Sequence, residues 1–140
     1  MTVSSLGQSA RPKRDRMTRI GWGLSILVLL FLALDGGIKL VPIQPVTVTL
    51  DALGWPSDAA TARGLGILLL ACGLLYALPR TAVLGAILLT AYLGGAVATH
   101  LRIASPVFSH VLFGSYIGIF AWLGLWLREP RLRALLPLRR

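Results

Sequence analysis

A chain of 140 residues is long enough for one domain. With 56% hydrophobic and 14% charged residues it lacks the polar shell of a soluble fold, and its long apolar blocks demand lipid as their solvent. The formal net charge of +9 does not point to nucleic acid: the basic residues flank the apolar blocks, and no aromatic-interleaved basic stripe or zinc motif accompanies them.

Residues 1–19 are polar and carry Arg11, Lys13, Arg14, Arg16 and Arg19; they are expected to form a disordered basic cytoplasmic tail. The first apolar block, about 20–41, is too long for a signal-peptide core and is expected to stay attached. Asp35 and Lys39 stand four residues apart near its end, on one helix face, where they can pair. Charges at this depth are costly in lipid, so the pair either serves function or orients the helix end with Lys39 snorkelling outward. In the long connection, 42–61, Pro42, Pro45 and Pro56 rule out a continuous helix. The run Val46–Leu50 alternates as a strand does and is expected to lie extended over the bundle.

The second block, about 62–78, holds Cys72. A single cysteine excludes an intramolecular disulfide and reads as a small packing residue. Only Pro79 and Arg80 separate it from the third block, about 81–98, so these two helices form an antiparallel hairpin. The third block repeats Ala82, Ala86, Thr90, Gly94 and Ala98 at four-residue spacing, and Gly114 and Gly118 form a GxxxG pair in the fourth, about 108–127. Small residues let membrane helices approach closely; the seam serves packing within the chain or a homodimer face. Residues 129–140 form a second basic tail with Arg131, Arg133, Arg139 and Arg140.

The expected fold is all-α: a membrane-spanning four-helix bundle over residues 20–128, because backbone in lipid must satisfy its own hydrogen bonds. The Lys and Arg asymmetry sets both termini inside, an N-in/C-in topology. Trp22, Tyr76, Trp122 and Trp126 then mark the inner interface, and Trp55 and Phe108 the outer one. Asp35, Lys39, Tyr92, His100, Arg102 and His110 all fall in the outer half, where they are expected to line a polar pocket. Two histidines on different helices can contact a quinone oxygen or ligate haem, or serve as ordinary interfacial residues. No HExxH, di-iron carboxylate–histidine set or phosphate loop is present, so no metal site is expected and the chain is not expected to catalyse a reaction alone.

Residues 78–90 (Leu-Pro-Arg-Thr-Ala-Val-Leu-Gly-Ala-Ile-Leu-Leu-Thr), 92–102 (Tyr-Leu-Gly-Gly-Ala-Val-Ala-Thr-His-Leu-Arg), 108–113 (Phe-Ser-His-Val-Leu-Phe) and 122–128 (Trp-Leu-Gly-Leu-Trp-Leu-Arg) resemble the DoxX-like family of small four-helix membrane proteins. The Asp35–Lys39 turn and Leu53-Gly54-Trp55-Pro56 fit the same pattern. Leu69 and Gly114 depart from it, standing where relatives commonly carry Glu and Pro. The resemblance implies a multi-pass protein of the bacterial inner membrane. It also implies an association with thiosulfate or quinone oxidoreductase systems, or with membrane assembly factors. Two functions are then open: an accessory or anchor subunit of a quinone-linked redox complex, partnered by its other subunits, or a non-enzymatic scaffold. A small transporter is disfavoured, since four spans show neither an inverted repeat nor broken helices.

Overall fold

The computed structural model describes residues 10–41 and 43–136. Its helices are α1 (Ala10–Leu40), α2 (Gln44–Ala52), α3 (Ala59–Ala77), α4 (Ala82–Arg102), α5 (Phe113–Arg128) and α6 (Pro130–Leu135), with a π-helical turn at Val107–Val111 between α4 and α5. Among the described residues, four stretches are long and apolar enough to cross a membrane: Arg16–Leu40, Ala59–Ala77, Ala82–Arg102 and Val107–Arg128. At 1.5 Å per residue each spans about 30 Å or more, the thickness of a bilayer's hydrocarbon.

Two boundaries differ from the sequence expectation. The basic segment expected to be disordered is helical from Ala10 onward. Arg, Lys and Met are good helix formers, and the apolar span supplies the nucleus from which helix propagates backward. The expectation for residues 1–9 lies outside the described residues. The second correction is α2: Val46–Leu50 is helical, not extended. A proline in its first turn presets a helical φ, Leu50 is buried, and Thr47 and Thr49 turn their hydroxyls back onto the carbonyls of Gln44 and Pro45. A lone extended segment would have left those backbone groups unpaired.

The four spans close into a ring in which α1 packs on α3 and α5, and α4 packs on the same two. Chain order makes every neighbour in the ring antiparallel. The start of α1, the α3–α4 hairpin and the end of α5 share one end, called here the tail end. The α1–α3 and α4–α5 connections share the other, the loop end. The core runs between them through Val28, Leu32, Leu69, Cys72, Tyr76, Ala86, Leu89, Ala121 and Leu125.

Backbone contact, more than side-chain volume, sets the crossings. At the α1–α3 crossing, a Cβ on Gly66 would lie 2.8 Å from the carbonyl oxygen of Gly36. At the α1–α5 crossing, one on Gly21 would lie 2.8 Å from that of Gly124. Only hydrogen fits at such separations, which gives dispersion contact without needing water to drive association. Outward faces are apolar, with Leu30 and Leu34 each 64% exposed and Ile119 62%. A helix that is apolar all round belongs in lipid.

Candidate functional site

The six polar residues expected to share a pocket at the loop end fall into three sets. Asp35 and Lys39 form an i,i+4 ion pair on the last turns of α1, with Nζ 2.5 Å from Oδ1. Both are part-buried, and Gly36 between them meets Gly66 of α3, so the backbone here is held tightly. Tyr92 of α4 lies within electrostatic reach of Asp35 and of Cys72. Phe31 and Phe113 stack edge-to-face, with centroids 5.3 Å apart, one turn along α1 from Asp35.

His100 and His110 form the second group. Their rings meet edge-to-face with centroids 5.7 Å apart. The π-helical turn brings them together: Leu112 N–H donates to the Val107 carbonyl at 2.9 Å, a wider loop than an α-turn makes. That extra residue changes the phase at which His110 leaves the helix. Each imidazole is tethered through Nδ1, His100 to Ser105 Oγ at 3.1 Å and His110 to Ser109 Oγ at 2.8 Å. Where the serine hydroxyl donates, Nε2 carries the proton and becomes a donor; where the imidazole donates, Nε2 is left as an acceptor. The pair can therefore address a carbonyl or a hydroxyl. Among the described residues no group of three or more His, Cys, Asp or Glu could hold a metal.

Arg102 belongs to neither group. Its Nη2 donates to the Leu53 carbonyl at 2.6 Å. Gly54, at φ +71°, passes so close that a Cβ there would sit 2.9 Å from the same nitrogen. Arg102 thus fastens the α2–α3 connection to the end of α4. The six residues expected to share one pocket are brought together only in part: Asp35 with Lys39 and Tyr92, His100 with His110, and Arg102 with the loop.

A polar constellation that sequence reasoning missed lies at the tail end. Tyr76, fully buried, donates its hydroxyl to the Ala121 carbonyl at 2.8 Å, and Ser25 Oγ lies 2.9 Å from the Tyr76 phenolic oxygen. Arg128 is 8% exposed; its Nη2 donates to the Tyr76 carbonyl at 2.7 Å, and its guanidinium lies 4.5 Å from the Trp22 ring centroid and 4.8 Å from that of Tyr76. Nη1 is buried and has no partner among the described residues. Part of the sequence signal was present, since Tyr76 lies inside an apolar block, but Tyr76 read as part of an interfacial belt and Ser25 was passed over. Tyr76 instead ties α1, α3 and α5 together.

The small-residue seam of α4 divides. Ala82 and Ala86 are buried, whereas Thr90, Gly94 and Ala98 turn outward. Thr90 and Gly94 line an open groove of about 770 Å³ between α4 and α5, with Gly114, Gly118, Trp122 and Trp126 opposite. Trp122 Nε1 donates to Thr90 Oγ1 across it at 2.8 Å.

Comparison with known proteins matches the chain to a family model described as the DoxX-like family, over residues 23–124. No curated protein and no solved structure matches.

Proposed function

The chain belongs to the DoxX-like family, and from that premise we propose that it is an accessory or anchor subunit of a quinone-linked redox system in the bacterial inner membrane, not catalytic alone. The observation that carries this reading is the His100–His110 pair at the loop end, with rings 5.7 Å apart and Nδ1 atoms held by serines. Two imidazoles so oriented offer Nε2 atoms to one small polar headgroup. A quinone carbonyl takes the donor form and a quinol hydroxyl the acceptor form. The apolar outer surface beside the pair gives an isoprenoid tail the medium it requires. Under the positive-inside rule the loop end faces outward, because Arg16, Arg19, Arg80, Arg128, Arg131 and Arg133 all lie at the tail end.

The test is extraction of the full chain in native lipid and quantification of bound quinone by chromatography and mass spectrometry. Near-stoichiometric quinone, lost in a His100→Ala/His110→Ala variant, is the expected result. Protein free of quinone that also fails to join a redox complex sinks the reading. The alternative is a non-enzymatic scaffold or assembly factor, supported by the basic tail end with α6 folded against α5. It predicts a stable partner whose capture is unaffected by the histidine substitutions and is lost when residues 129–140 are removed.

A further inference from the structure

Two departures from regular backbone converge on the His100–His110 pair. Ala104 lies in the left-handed region at φ +53°, and this turn folds Ser105 back onto His100. Ser105 N–H meets the His100 carbonyl at 3.0 Å, and its hydroxyl lies 3.1 Å from the Nδ1 of the same residue. The π-helical turn at Val107–Val111 then sets His110 against the first ring. No metal-binding spacing motif relates the two histidines, which stand ten positions apart, so only this local backbone makes them neighbours.

Each ring has one nitrogen engaged and one free. Nδ1 is at hydrogen-bond distance from a serine hydroxyl in both, and no contact among the described residues engages either Nε2. A serine that accepts from Nδ1–H fixes the tautomer whose Nε2 carries a lone pair, which is how histidine ligands are oriented in metal sites. The ring separation suits the same role. A metal–nitrogen bond of about 2.0–2.1 Å, plus about 1.2 Å from nitrogen to ring centre, puts an ion about 3.2 Å from each centroid. Tetrahedral bonds from one ion then set the centroids about 5.2 Å apart and trigonal bonds about 5.5 Å. The observed separation is 5.7 Å. His110 is exposed and His100 part-buried, so the pair is open to an ion from solution. Arg102, the basic residue nearest in sequence, is drawn off to the Leu53 carbonyl. We propose that His100 and His110 bind one transition-metal ion of the imidazole-preferring kind, zinc or copper, through both Nε2 atoms, with water in the remaining positions. Two protein ligands make an open, exchangeable site, unlike the closed four-ligand sites of structural zinc. The metal site stands without the quinone reading. One consequence rests on that reading: both occupants need Nε2, so a bound ion excludes the quinone headgroup and inhibits its binding.

The full chain is purified in detergent without a histidine tag, stripped with chelator and titrated with Zn²⁺ by isothermal calorimetry. Cu²⁺ at one equivalent is followed by electron paramagnetic resonance. The expected result is one zinc per chain, and a copper spectrum split by two imidazole nitrogens. Ser105→Ala/Ser109→Ala weakens zinc binding roughly tenfold, as loss of outer-shell support does, with both ring ligands still present. His100→Ala or His110→Ala weakens it further, and circular dichroism of each variant confirms an intact fold. Absence of saturable zinc binding overturns the proposal. So does binding that both histidine variants retain, which marks an adventitious site at exposed carboxylates such as Asp51 and Asp58. Half an ion per chain with dimer formation also overturns it, since a second copy would then complete the site. Quinone is counted in native-lipid extracts before and after zinc addition. Quinone absent throughout fails the quinone reading and leaves the metal site standing, whereas quinone retained on the zinc-loaded chain overturns the exclusion.

Discussion

Asp58 shows how much of the loop end depends on single side chains. It caps α3, accepting the Thr61 backbone N–H at 2.8 Å and the Thr61 hydroxyl at 3.0 Å. These hydrogen bonds, the backbone one foremost, hold its carboxyl below the usual carboxylate value. A depressed folded-state pKa makes the cap's contribution present above the ordinary value of 3.8 and lost as pH falls through the lowered one. Melting temperature measured from pH 6 down to pH 2 is therefore expected to fall more for the parent than for Asp58→Asn, which caps without titrating. Asp58→Ala should be the least stable of the three at pH 6. Ala104 is a second single-residue device, at φ +53° in the turn that ends α4, where Ser105 N–H reaches the His100 carbonyl at 3.0 Å. Left-handed backbone costs a residue with a Cβ about 1 kcal/mol, so Ala104→Gly should stabilise by up to about that amount in thermal unfolding. Neither effect needs a change in the His100–His110 pair.

Among the elements, the helix crossings carry the strongest expectation. Gly66→Leu drives a side chain into the Gly36 backbone and should cost about 1–3 kcal/mol or abolish folding, whereas Gly94→Leu should cost little. Tyr76→Phe removes a hydroxyl that bridges the Ala121 carbonyl and Ser25, leaving the buried serine without that partner, and should cost about 1–3 kcal/mol. Unfolding of the three variants in mixed detergent checks both statements. The contrast between the two glycines also shows what was legible beforehand. The four spans could be read because each is an uninterrupted apolar block, and His100 and His110 could be set at one depth by counting residues. Which glycine faces a neighbour could not, because helices apolar all round carry no amphipathic phase to orient them. The α4 seam turns outward halfway along for that reason, and Gly36 with Gly66 stood out only once the helices were in place. The π-helical turn was hidden because one extra residue leaves composition unchanged while rotating every later side chain about the helix axis. Arg102 could be placed at the right depth, but its partner is a carbonyl distant in the chain, and a carbonyl has no sequence signature.

For the molecule as a whole, the ring of antiparallel neighbours fixes which ends lie together, and the arginine distribution gives the orientation. In a Cys72→Ala background, a membrane-impermeant thiol reagent added to intact cells should label a cysteine at position 58 and leave one at position 133 unlabelled. The reverse pattern would invert the molecule in the membrane. Packing and orientation also bear on the Asp35–Lys39 pair, whose two charges sit side by side within one helix. A pair that sums to zero feels no net pull from the transmembrane voltage, whereas a lone charge crossing the full field exchanges about 2.3 kcal/mol per 100 mV. The intact bundle should thus be electrically silent at that depth, and Lys39→Met makes it responsive. Insertion or stability of that variant in energised vesicles should depend on membrane potential, by the fraction of the field that Asp35 occupies, while the parent chain behaves alike in polarised and depolarised membranes.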